Sequence, residues 1–324
     1  MKKIKKKTII WLIIAFIIYG VLMYLTSTGK MSRQYTRLLI PIGINIMLAV
    51  SLNLTVGFLG ELTLGHAGFM SVGAYAGCMF TVYMDLPVYI EFPLAILVGG
   101  AVAAIFGIII GIPALRLKGD YLAIVTLAFG EIIKSVITNM NITGGAGGLK
   151  GIEKTTNFTM VFAAVLITII VISNLINSRH GRAICAIRDN VIAAEAAGIN
   201  VVYYKLIAFV VAAFFAGVAG VLYGHNLGIL KPATFDFNKS IEILVIVVLG
   251  SMGSITGSVI AAIVITALPE LLRGLADYRM LMYAIVLIVM MLLNANPRVV
   301  ELKKKYSAKV AELMGKFKKT KEAE

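Results

Sequence analysis

The chain has 324 residues, of which 60% are hydrophobic, with a mean hydropathy of +0.94 and a formal net charge of +14. Such an apolar chain is not an ordinary soluble domain, because a spanning helix needs about 20 mostly apolar residues and that pattern recurs along the chain. Nor does the charge indicate nucleic acid. It is concentrated in short loops and two lysine-rich ends, Lys2 to Lys7 and Lys303 to Lys321, where it favours the cytoplasmic side and contact with anionic lipid.

The pattern predicts an all-α polytopic membrane protein of about ten transmembrane helices, with N- and C-termini cytoplasmic. The candidate spans are 8–25, 38–56, 64–84, 92–115, 121–137, 158–175, 206–223, 241–252, 255–272 and 280–293. The first follows a lysine cluster as a signal peptide would, yet it is long for a signal core and no Ala-x-Ala site follows, so it reads as a retained span. The second carries Pro41 and the polar Asn45, Ser51 and Asn53. The fifth is short enough to be re-entrant. The eighth is too short to cross alone, and Gly250, Gly253 and Gly257 interrupt the run to the ninth, a pattern tolerated where protein covers the freed backbone. This topology places Arg116 and Lys118 inside. It also leaves Lys30, Arg33 and Arg37 outside, against the positive-inside bias, which the heavier N-terminal cluster outweighs. Residues 1–300 read as one transmembrane domain and 301–324 as a basic cytoplasmic tail.

The longest polar interruption is 177–205, with Arg179, Arg182, Arg188 and Lys205 against Asp189 and Glu195. By its charge it belongs on the cytoplasmic face. Asp189 or Asn190 is suited to cap a short helix there, and Gly198 to end it. Between them Val191, Ile192, Ala193, Ala194, Ala196 and Ala197 make a small, smooth surface. It reads either as a docking element for a soluble partner or as a solvated connector.

Glycine patterns punctuate the spans. Gly57-Phe-Leu-Gly60-Glu-Leu-Thr63 has the spacing of Gly250-Ser-Met-Gly253-Ser-Ile-Thr256, a hint of two related halves. Gly73/Gly77, Gly107/Gly111, Gly220/Gly224 and Gly253/Gly257 recur at four-residue intervals and allow close helix approach in lipid, within the bundle or across a homodimer seam. The stretch from Leu52 to Phe69, with Glu61, Gly65 and His66, reads as packing around a turn or as a ligand site.

No catalytic constellation stands out. His66, His180 and His225 have no metal-ligand spacing, and Cys78 and Cys185 have neither disulfide nor metal spacing. There is no Gly-x-Ser-x-Gly elbow and no Walker A sequence, so an ATP-driven process would need another subunit. Ionisable residues within spans are suspects for function. Here Glu61, Glu242 and Glu270 fall near predicted span ends, and Glu131 and Lys134 are spaced to pair on one helix face. The scarcity of acids at mid-depth argues against a proton- or sodium-coupled carrier.

Several stretches together resemble the permease family of branched-chain amino acid (LIV) ABC importers. Gly60-Glu-Leu-Thr-Leu-Gly-His-Ala67 is similar to the family signature, with Glu61 where glutamine is usual and Thr63 for serine. Lys118 to Gly130, Thr143 to Leu149, Ile243 to Gly257 and the loop ending Glu195-Ala-Ala-Gly198 agree in order, so the resemblance covers roughly 38–293. It points to the second of the family's two paired permeases. It implies a type II-like importer fold in the cell membrane of a prokaryote and uptake of Leu, Ile or Val by alternating access. It also implies a homologous permease partner, two cytoplasmic ATP-binding subunits and an extracytoplasmic substrate-binding protein. No cofactor is expected in this chain, ATP being bound by the partners, and no metal. The ATPase-coupling positions it implies are Arg182, Arg188, Asp189, Ala194, Glu195, Ala197 and Gly198. The signature positions are Asn53, Gly57, Gly60, Glu61, Gly65, His66, Gly250, Gly253 and Gly257. The alternatives are a urea or short-amide permease of the same superfamily, an ATPase-independent channel or secondary carrier, and, more remotely, a membrane enzyme.

Overall fold

The computed structural model describes residues 6–28, 32–84, 87–117 and 119–271, with helical positions at 284, 285, 288, 289 and 292. The tail at 301–324, most of the 280–293 span, Lys2, Lys3, Lys5, Lys30 and Lys118 lie outside the described residues. Contacts divide the chain into a compact unit, Met1–Ala267, and a second, Leu268–Glu324. Of the second, the described part is the end of one helix and the scattered helical positions.

The described residues are almost wholly helical, as a chain that must satisfy its backbone without water requires. In order they form α1 (Lys6–Ser27), α2 (Arg33–Asn53), α3 (His66–Tyr83), α4 (Val88–Ala114), α5 (Asp120–Asn139), α6 (Phe158–Ile176), α7 (Arg179–Asp189), α8 (Val191–Ala196), α9 (Val201–Leu227), α10 (Phe237–Leu249) and α11 (Ile255–Leu271). Among the described residues, five helical runs are long and apolar enough to cross a membrane: Tyr35–Leu59, Val88–Ala114, Asp120–Asn139, Phe158–Ile176 and Val201–Leu227. The expected fifth span is therefore a continuous 20-residue helix rather than a re-entrant piece. The expected eighth, α10, has 13 residues, about 20 Å of rise.

The core is a three-helix contact among α3, α4 and α9. α3 is the least apolar of the three, yet it is buried for most of its length. Its interior is made by absent side chains. A methyl group at Gly73 would fall on the Gly217 backbone, one at Gly99 on Val221 and Gly73, and one at Gly220 on Met70 and Ala74. The four-residue glycine spacing thus serves close backbone approach within the chain. α2 packs on α9 and α6 around this centre, and α10 and α5 lie against α2 and α3.

α2 does not stop at Asn53. It widens into a π-helical turn, Leu54–Leu59, closed by Gly60 in the left-handed region at φ 81°. The sequence carries no signal for that widening. It carries the chain from α2 into the turn that leads to α3.

Candidate functional site: a junction of two glycine turns and a helical elbow

The two turns that echo each other in sequence meet in space. Asn53, fully buried at the end of α2, accepts at Oδ1 from the Gly253 N–H at 2.8 Å. Its Nδ2 donates to the Ser254 carbonyl at 3.1 Å and to Ser258 Oγ at 2.9 Å. One amide so ties the π turn to the start of α11. Gly57 is glycine because a Cβ there would collide with Asn53 Oδ1 and the Gly253 nitrogen. Gly250 and Gly257 face each other across the turn before α11, each leaving no room for a Cβ on the other.

Arg188 closes the junction from a third side. Its Nη1 donates to the Gly57 carbonyl at 3.3 Å, and its Nη2 and Nε donate to Asp189 Oδ1 at 2.9 and 3.1 Å. Its aliphatic stem lies on Gly60. Arg188 belongs to α7, a helix whose existence the sequence reading missed. The signal was available in Ile184 and Ile187, three apart and both buried. Ser178 caps α7 by accepting from Gly181 N, and Asn190 caps α8 by accepting from Ala193 N at 3.0 Å. Asn190 rather than Asp189 is therefore the cap of the short helix, and Gly198 follows its end at φ 81°.

The 177–205 region is not a free loop. Ile184, Ile187, Ala194 and Val201 form one buried apolar cluster with Leu54 and Leu59 of the π turn and Ala208 of α9. Ala194, expected on the outer face, points inward and is 4% exposed. The outward face of α8 is Ile192, 80% exposed, with Ala193, Glu195 and Ala196. Ala197, Gly198 and, on α7, Arg182 are also exposed. An open concavity of about 400 Å³ lies beside α8, lined by Glu195, Gly198, Ile199, Asn200, Val201 and Val202. Burial on α7 pushes the Cys185 thiol above its ordinary pKa.

Glu61, the departure from the usual glutamine, has a partner that sequence reading did not supply. Lys205 lies within α9 rather than in a loop, and its ammonium pairs with the Glu61 carboxylate. The two side chains are only 6% and 13% exposed. A charge in that position is expensive without an opposite charge, so Glu61 and Lys205 are a unit. It joins the α2–α3 turn to the first turns of α9, next to the apolar cluster.

Gly65 and His66 belong to a different neighbourhood. Gly65 caps α3 and presses on the Thr126 backbone of α5, while Thr126 Oγ1 accepts from Leu64 N. His66 is buried, with Nε2 2.9 Å from Ser51 Oγ. Among the described residues no group of three or more His, Cys, Asp or Glu is placed to hold a metal ion. The expected Glu131–Lys134 pair is present at 2.7 Å.

Comparison with known proteins identifies the family. A family profile for the branched-chain amino acid transport system permease component matches residues 34–294. The high-affinity branched-chain amino acid permease protein LivM of Salmonella typhimurium is 36% identical over 284 residues, covering 77% of this chain and 66% of that protein. The chain thus matches about two thirds of that relative's length. The LivH permease protein of Escherichia coli is 35% identical over 88 residues, covering 27% and 28% of the two chains. The ribose import permease RbsC of Haemophilus influenzae is 25% identical over 270 residues, covering 77% and 81%. No solved structure matches significantly. The chain belongs to the branched-chain amino acid transport system permease family.

Proposed function

We propose that this member of the permease family is a membrane-spanning subunit of an ATP-driven importer of branched-chain amino acids, in the cell membrane of a prokaryote. In that reading the chain holds no ATP itself. It pairs with a homologous permease of the LivH kind, two cytoplasmic ATPases drive the pair, and an extracytoplasmic protein delivers substrate. The termini and the α7–α8 elbow lie in the cytoplasm, and the remaining predicted crossings complete the ten.

The observation that carries this reading is the elbow itself. α8 shows Ile192, Ala193, Glu195 and Ala196 to the outside, beside an open concavity. Its inner face packs on the π turn, and Arg188 of the adjoining α7 bonds the Gly57 carbonyl. A partner seated on that outer face moves the elbow as a body, and the elbow is packed on the ends of α2, α6 and α9. This is how a soluble motor transmits motion to spans without touching substrate. A self-sufficient channel has no use for an exposed apolar knob fixed to three helix ends.

The test is purification from the native membrane with mild detergent. Recovery of Walker-type ATPases and a second permease supports the reading, as does their loss from an Ile192→Asp variant that still purifies folded. A chain that emerges alone and passes leucine in liposomes without ATP overturns it. Ala194→Trp is unsuited to this test, since its effect would be on the buried cluster and not on the outer face.

A further inference from the structure

Away from the junction, charged side chains meet at mid-helix. Tyr35–Leu59 is the spanning run built on α2, and Asn45 sits near its middle, about 15 Å from Tyr35 along the axis. Lys239 Nζ of α10 is 3.2 Å from Asn45 Oδ1 and 3.0 Å from Glu242 Oε2. Asn45 Nδ2 donates to Thr266 Oγ1 of α11 at 2.9 Å. Asn45 is 6% exposed. The Lys239 and Glu242 side chains retain 18% and 37% exposure, so the ion pair is held on one side and open on the other. Neighbouring positions are aliphatic: Ile44, Ile241, Ile243 and Ile265. Sequence reading put Glu242 at the start of a span, but α10 begins at Phe237 and contacts the centre of α2, so the acid sits deeper than expected.

Ion pairs at that depth are costly, and packing alone does not demand one. The close α3–α4–α9 contact is made largely by glycine and small side chains. We propose that Lys239, Glu242 and Asn45 form a transient binding site for the zwitterionic head of an α-amino acid on its way through the chain. This rests on the reading of the protein as an amino-acid permease and names which part of the substrate the chain itself recognises. Lys239 receives the α-carboxylate and Glu242 the α-ammonium, the two protein charges parting to accept the two ligand charges. Asn45 anchors Lys239 from behind, and Thr266 fixes the Asn45 amide. The exchange gives up one ion pair within the protein for two to the ligand, and the ligand's own two charges must leave water. Those two costs keep binding weak enough to release, which a pathway needs.

The experiment is equilibrium binding of radiolabelled L-leucine to the complete permease–ATPase complex in nanodiscs, without nucleotide or binding protein. Competitors are 4-methylpentanoate, which lacks the ammonium, and 3-methylbutylamine, which lacks the carboxylate. Wild type is expected to bind leucine at least about tenfold more tightly than either. Glu242→Gln should weaken leucine and 3-methylbutylamine but not 4-methylpentanoate, and Lys239→Met should weaken leucine and 4-methylpentanoate but not 3-methylbutylamine. Should a single variant strand its partner and fail to fold, the double variant Lys239→Met/Glu242→Gln removes both charges. It should fold and bind all three compounds alike. Variants that bind leucine and both competitors as wild type does overturn the site, as does a complex that transports leucine with its binding protein yet holds none in this assay. A wild-type complex that neither binds nor transports leucine overturns instead the branched-chain reading on which the site rests.

Discussion

The contact among α3, α4 and α9 and the junction of the two glycine turns both depend on glycine, but the first is buried, the second partly exposed, and they are held in different ways. In the three-helix contact, glycine removes side chains so that backbone meets backbone, as Gly73 meets Gly217. What holds it is mainly dispersion over a complementary surface, with few directed bonds, such as that between Thr81 Oγ1 of α3 and His225 Nε2 of α9 at 3.0 Å. At the junction, glycine makes room for directed groups: the Asn53 amide, the Arg188 guanidinium and, close by, the Glu61–Lys205 pair. Each of those is a single bond between elements that breaks when they move apart. The first region rests on packed surface, the second on directed bonds. In the importer reading this places the moving parts at the elbow and the fixed frame in the glycine-lined core.

The largest expected effect is on the fixed frame. Gly73→Leu inserts a branched side chain where a single methyl group already collides with Gly217, and overpacking of that kind costs about 3 kcal/mol or more. The variant should fail to give a monodisperse peak in detergent. A Gly73→Leu protein that purifies and melts like wild type would mean that the core is as adaptable as the junction. Lys205→Met comes next. It leaves Glu61 buried and unpaired, at a cost of about 3–5 kcal/mol, seen as a fall in melting temperature. The double change Glu61→Gln/Lys205→Met removes both charges and should recover most of that loss. A double variant no better than the single would show that the pair is not the coupled unit its burial indicates.

Asn53→Ala tests the directed bonds. It strands the Gly253 N–H and removes both contacts to the start of α11, for a loss of about 2 kcal/mol. The bundle should survive, with its glycine contacts intact, while leucine uptake falls by more than the melting temperature implies. Equal losses of uptake and stability would make the junction merely another packed surface.

These differences also explain what was legible beforehand. The two ends of α8 were readable because Asn190 and Gly198 act locally, as a cap and a stop. The Glu131–Lys134 pair was readable because three residues on a helix make neighbours. The glycine intervals gave the close helix contacts, though not which helices they join. Glu61 and Lys205 are 144 residues apart, and Asn53 and Ser258 are 205 apart. Such pairs leave no periodic trace in a single chain. The π turn at Leu54–Leu59 was hidden because Leu-Thr-Val-Gly-Phe-Leu reads as the tail of an ordinary span. The apolar cluster went unseen for a related reason. Six small or aliphatic residues between 191 and 197 and their lead-in read as a surface strip, and only the partner surface on Leu54 and Leu59 shows that one side of it is buried.

The smallest expected effect on stability comes from that same short helix, and it sets its two faces against each other. Ile192 is 80% exposed and Ala194 is 4% exposed, two positions apart on one turn and a half. Ile192→Ser removes a side chain that touches little of this chain, so stability should change by no more than about 0.5 kcal/mol. Ala194→Leu forces extra volume into the cluster with Leu54, Leu59 and Ile187, at about 1–3 kcal/mol. If the outer face is where a motor subunit sits, the ranking inverts when ATPase recovery is measured. Ile192→Ser then loses the partner with the fold intact, as removal of an apolar anchor from an interface would. Ala194→Leu loses the partner only in proportion to the fold. A uniform ranking in both measurements would mean that the two faces of α8 do one job, and that the junction transmits nothing arriving from outside.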